Sequence, residues 1–105
     1  MIKAVFYCFA DGFVKSFSIR GHANYSIYGQ DIVCAGVSSA VSMCCNGILE
    51  FRKKKVEISY SEGLVELEAK NKDVVVQCFL IALKNQITTL QKEYSRNINL
   101  KIVEV

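Results

Sequence analysis

The sequence predicts a single α+β domain in the order ββαββαβ, a mixed β-sheet packed with two α-helices. Three observations predict it. Five short runs are rich in β-branched and aromatic residues and end at turn residues. Two longer runs repeat apolar residues at helical spacing. The chain has 105 residues, 51% of them hydrophobic, which is enough for one core and too few for two. There is no proline, and no serine- or glycine-rich stretch marks a boundary. Residues 1–105 therefore read as one domain.

Residues 2–9, IKAVFYCF, are almost continuously apolar. That pattern predicts a central strand buried on both faces. Asp11-Gly12 is a tight-turn signal. In residues 13–20, FVKSFSIR, the residues Phe13, Phe17 and Ile19 share one face and Ser16, Ser18 and Arg20 the other, while Lys15 interrupts the apolar face. The two runs make a hairpin. Residues 21–30 form a loop of about ten residues, long for a compact domain and so expected to be functional.

Asp31 is placed to cap a helix over 32–51. Its stripe is Val33, Val37, Val41, Cys44, Ile48 and Phe51, with Ala40, Cys45 and Leu49 beside it. Gly47 weakens that helix by up to about 1 kcal/mol relative to alanine. The basic run Arg52–Lys55 closes it, where positive charge suits the helix dipole. Residues 56–61 and 64–70 alternate about a turn at Glu62-Gly63 and form a second hairpin with one wet face. Asp73 caps a second helix over 74–95, with the stripe Val76, Phe79, Leu80, Leu83, Ile87, Leu90 and Tyr94. Residues 98–104 supply the last strand.

The net charge of +3 comes largely from Arg52–Lys55. A solvated loop accounts for that run, and nucleic-acid contact is not expected. The N-terminal apolar run is far shorter than a membrane span and leads into a turn, so a cytoplasmic protein without membrane contact is expected. Five cysteines should then be reduced. No pair has CxxC spacing and there is one histidine, so neither a metal site nor another cofactor is expected. Cys8, Cys44, Cys45 and Cys78 fall inside strand and helix patterns and read as core residues.

Cys34 differs, because it stands near a helix start after a polar loop that begins at His22. With Asp31 as cap, Cys34 is the third helical residue. The helix dipole and unpaired N–H groups there favour a thiolate, lowering such pKa values from about 8.5 to between roughly 3.5 and 7.5. The backbone N–H groups of Cys34 and Ala35 could hold an oxyanion. His22 would serve as base. Asp31 has two candidate jobs, capping the helix or orienting the imidazole. Ser38, one turn beyond Cys34, could hydrogen-bond into the site.

Gly21-His22-Ala23, Gly29, Asp31-Ile32-Val33-Cys34-Ala35 and Val37-Ser38, in that order and spacing, resemble the motif of the ribosomal-processing cysteine protease family, Prp. Gly36, where alanine is expected, is a small departure. The resemblance implies an endopeptidase with Cys34 as nucleophile and His22 as general base. It implies a substrate too: the N-terminal extension of large-subunit ribosomal protein twenty-seven, cut after a phenylalanine in an apolar segment. It also implies a homodimer with a mobile loop over the site. Two other readings compete. One is a non-catalytic module that binds the ribosome or its RNA through residues 52–55. The other is a redox sensor using Cys34, which would need a resolving cysteine that the sequence does not place.

Overall fold

The computed structural model describes residues 1–21 and 32–105 in full and residues 30 and 31 in backbone only. Strands β1 (Ile2–Cys8) and β2 (Val14–Arg20) lead to helix α1 (Gln30–Arg52). A 3-10 turn (Lys53–Lys55) follows, then β3 (Val56–Ser61), β4 (Leu64–Ala69), helix α2 (Val74–Glu93) and β5 (Ile98–Glu104). The order is ββαββαβ, as the sequence predicts. The five strands form one sheet in the order β3-β4-β2-β1-β5. Only the β1–β5 pair is parallel, Ile2 standing beside Ile98 and Phe6 beside Ile102.

Both helices cover the same face of the sheet. On β1 the residues Ile2, Ala4, Phe6 and Cys8 are buried, while Lys3 is exposed and Val5 and Tyr7 are half-buried. The expectation of burial on both faces is therefore corrected. β1 is an interior strand, but its second face is open. Phe6 and Phe17 meet beneath the helices with ring centroids 5.6 Å apart.

The hairpin explains the awkward Lys15. Tyr7 pairs with Ser16, but Cys8 pairs with Val14, so a β-bulge leaves Lys15 without an opposite residue. The bulge turns Val14, not Phe13, into the core, where it is fully buried. Gln77 of α2 closes the gap. Val14 N–H donates to Gln77 Oε1 at 2.7 Å, and Gln77 Nε2 donates to the Val14 carbonyl at 2.8 Å. Gln77 is only 2% exposed and is the one buried polar side chain among the described residues.

The helix stripes hold with two exceptions. Val33, Cys34, Val37, Val41, Cys44, Cys45 and Ile48 of α1 are buried, but Leu49 and Phe51 are exposed. Phe51 instead stacks on Phe79 at 6.5 Å. Cys78, expected in the core, is exposed on α2. By length and composition alone, the segment Ile32–Lys55 could cross a membrane; here its buried stripe packs in the core. The helices approach closely at Gly47, where an added methyl group would land on the Phe79 ring. Asp73 caps α2 as expected, accepting from Val76 N–H at 3.1 Å, and it also pairs with Arg52 at 3.3 Å. The basic run is thus partly structural: its first residue ties the end of α1 to the start of α2.

Candidate active site

One corner of the sheet gathers the elements that matter. β2 ends at Arg20, and Gly21 follows with a φ of 89°, a conformation that favours glycine. Its N–H donates to the Gly63 carbonyl at 2.9 Å. Gly63, with φ 70°, makes the β3–β4 turn. The chain therefore leaves β2 toward His22 beside that turn. His22 lies outside the described residues, as does the Asp31 side chain.

α1 begins at Gln30, two residues before the expected start. Asp31 is therefore the second helical residue and not the cap, which corrects the capping expectation. Cys34 becomes the fifth residue of α1 instead of the third. In an α-helix each N–H bonds to the carbonyl four residues back. The N–H groups of Cys34 and Ala35 thus run toward the carbonyls of Gln30 and Asp31.

Cys34 is 9% exposed and belongs to the core cluster. Sequence reasoning missed this burial; Cys34 shares the helix face of Val37 and Val41. Ser38 is half-buried one turn later. None of the five cysteines is in a disulfide. Burial pushes the Cys44 thiol up to about 12, with Cys45 beside it adding to the effect. Its Sγ faces the Phe79 carbonyl at 3.6 Å. Burial also raises Cys45, against a hydrogen bond from the Tyr60 hydroxyl. These two residues are held as neutral thiols and are poor nucleophiles. Among the described residues, no three His, Cys, Asp or Glu side chains gather where a metal ion could sit.

Among the described residues, concavities lie on the sheet and beside the helices. One of about 530 Å³ lies on the open sheet face among Tyr7, Ser16, Ser18, Glu57, Glu66 and Glu68. The sheet separates it from Cys34. A groove of about 400 Å³ runs between α1 and α2, past Gly36, Met43 and Phe79. Another, about 240 Å³, lies against α1 beyond Cys34, between Ser38 and Val41 on one side and Tyr60 and Val65 on the other.

The family model for cysteine protease Prp matches residues 1–99. This chain belongs to the Prp family of cysteine proteases. The ribosomal processing cysteine protease Prp of Staphylococcus aureus is 29% identical over 97 residues, covering 86% of this chain and 88% of that protein. A crystal structure of the S. aureus protease with a substrate peptide superposes with a TM-score of 0.86 at 28% identity, covering 97% of this chain and 99% of that one. A second structure of that protease, with a covalently linked product peptide, gives the same TM-score, identity and coverage. The Prp fold thus accounts for the whole ββαββαβ arrangement, and this chain is a cysteine protease.

Proposed function

We propose that this protease removes the N-terminal extension of large-subunit ribosomal protein twenty-seven, cutting after a phenylalanine in an apolar segment, in the cytoplasm. The observation that carries the reading is the family match over residues 1–99. The spacing of His22 and Cys34 in the motif supports it. Cys34 is the nucleophile. Its thiolate attacks the scissile carbonyl, and the bond from sulfur to carbon forms as the carbonyl becomes an oxyanion. His22, protonated, gives its proton to the leaving amine as the peptide bond breaks. The same imidazole then takes a proton from water, which attacks the thioester and frees the acid product and the thiolate.

Asp31 accepts from the imidazole and orients it in this reading, and Ser38 supports the site from the next helical turn. The oxyanion donors are the N–H groups of Cys34 and Ala35. Because α1 starts at Gln30, their use requires the first turn of the helix to open when substrate binds. The exposed apolar side chains Ile32 and Met43 on α1 supply surface for a homodimer, Met43 being 74% exposed. Sedimentation at micromolar concentration tests that state.

The direct test is incubation of the purified protein with the extended ribosomal protein. Cleavage should occur after the phenylalanine and persist in EDTA. Cys34→Ala and His22→Ala should each lower the rate roughly 10³-fold or more. Cleavage that persists in either variant removes that residue from the mechanism.

A further inference from the structure

We infer that the basic end of α1 is a second binding site, which holds single-stranded RNA. Phosphates lie on Lys53, Lys54, Lys55 and Lys70, and one base stacks on the exposed ring of Phe51. The choice of RNA among polyanions rests on the ribosomal substrate proposed above. The site itself rests on charge and geometry. In sequence, residues 52–55 are a basic run and no more; the fold adds Lys70 and the Phe51 ring to them.

Charge is the first argument. The Lys70 N–H donates to the Lys55 carbonyl at 2.9 Å, so the 3-10 turn after α1 and the connection from β4 to α2 lie side by side. Six basic residues meet there, Arg52–Lys55, Lys70 and Lys72. Two of them are used inside the fold. Arg52 pairs with Asp73 at 3.3 Å. Lys72 pairs with Asp11 at 2.6 Å and stands 4.5 Å from the centre of the Phe9 ring. Among the described residues, no carboxylate pairs with the other four. Lys53, Lys54 and Lys70 are exposed, and Lys55 is half-buried. Glu57 and Glu68, the next acids along β3 and β4, line the concavity on the open sheet face instead. Four like charges so close repel one another, and a polyanion relieves that repulsion.

The aromatic ring is the second argument. A solvated basic turn has no need of one. Phe51 stands just before that turn and is 62% exposed. It is nevertheless held in place, stacked on Phe79 with ring planes 14° apart and centroids 6.5 Å apart. Phe79 is half-buried and set against Gly47, so the backing is firm. Single-stranded nucleic acid is bound by this pair of features, cations along the backbone and an aromatic platform for a base. A duplex keeps its bases stacked and leaves the ring unused. From Cys34 to Arg52, α1 rises about 27 Å. A strand held at this end leaves the Cys34 end free for peptide.

The test is fluorescence anisotropy of a labelled oligouridylate of about twelve nucleotides with the intact protein. Four phosphate contacts on a single strand should lower affinity about 50-fold between roughly 50 and 200 mM salt. Lys53→Ala with Lys54→Ala should shrink that loss to about sevenfold. Phe51→Ala should weaken binding at least about fivefold without changing the salt dependence, and Phe51→Tyr should bind as the unsubstituted protein does. Unchanged far-ultraviolet circular dichroism shows the variants folded. Equal binding by every variant, or equal binding of duplex RNA, overturns the assignment. So does binding to phosphatidylserine vesicles with none to the oligouridylate. RNA binding without cleavage of the extended ribosomal protein keeps this site and removes the substrate reading. Cleavage without RNA binding overturns the site and leaves that reading intact.

Discussion

Replacing Gln77 with alanine should cost this protein a large part of its stability, although Gln77 is distant from any expected catalytic residue in the chain. Val14 pairs with Cys8 just past the bulge, but the pairing of β2 with β4 stops at Ser16, so Val14 has no strand on its other side. The Val14 N–H and carbonyl are then satisfied by the two ends of one buried amide, at 2.7 and 2.8 Å. Alanine leaves a buried donor and a buried acceptor orphaned. Each costs about 1–3 kcal/mol, so the loss should be about 2–6 kcal/mol. Folded domains of this size hold only about 5–15 kcal/mol. Urea unfolding followed by far-ultraviolet circular dichroism, at one fixed protein concentration, reads the change as a lower midpoint with an unchanged slope. The melting temperature should fall by roughly 10 °C or more. Gln77→Glu should not rescue it: a carboxylate can accept from the Val14 N–H but has no proton for the carbonyl. A loss below about 1 kcal/mol for Gln77→Ala would refute the reasoning, since it would mean the bulge is satisfied in another way.

Gly47→Ala gains up to about 1 kcal/mol of helix propensity but drives a methyl group into Phe79, an overpacking that costs about 1–3 kcal/mol. A net loss is expected in urea unfolding, and Phe79→Leu in the same chain should restore it. The Val76 N–H, and then the Arg52 charge, hold the Asp73 carboxyl below its usual 3.8. A carboxyl lowered in the folded state contributes stability that is full above 3.8 and lost as pH falls through the folded value. Asp73→Ala should therefore flatten the acid end of the stability profile, below about pH 4. Alkylation with iodoacetamide at neutral pH, read by mass spectrometry, should reach the exposed Cys78 in the folded protein and leave Cys44 unlabelled until unfolding, because the Cys44 thiol is buried and pushed up to about 12.

The element order was legible because each signal is local. Alternation marks the hairpins, and helical spacing marks α1 and α2. What was not legible depends on partners far along the chain. Lys15 interrupts its strand because of a bulge whose backbone is satisfied by Gln77, 63 residues away. The apolar run of β1 cannot show that only one of its faces is covered. Phe51 and Cys78 sit at helix positions where a small rotation of the axis decides between core and surface. At the site, the motif pointed to Cys34, but its burial comes from packing into the core.

The residues expected to do chemistry, from His22 to Ser38, all lie in the first half of the chain. The sheet order denies that half any independence. β2 needs β4 as its second neighbour, and β1 needs β5, the last strand to be made. A nascent or truncated chain ending after α1 would carry every reactive group and still lack the walls that bring them to bear. A chain lacking β5 should therefore be inactive. Proteolytic competence should arrive in one cooperative step, when the C-terminal strand slots in beside the N-terminal one.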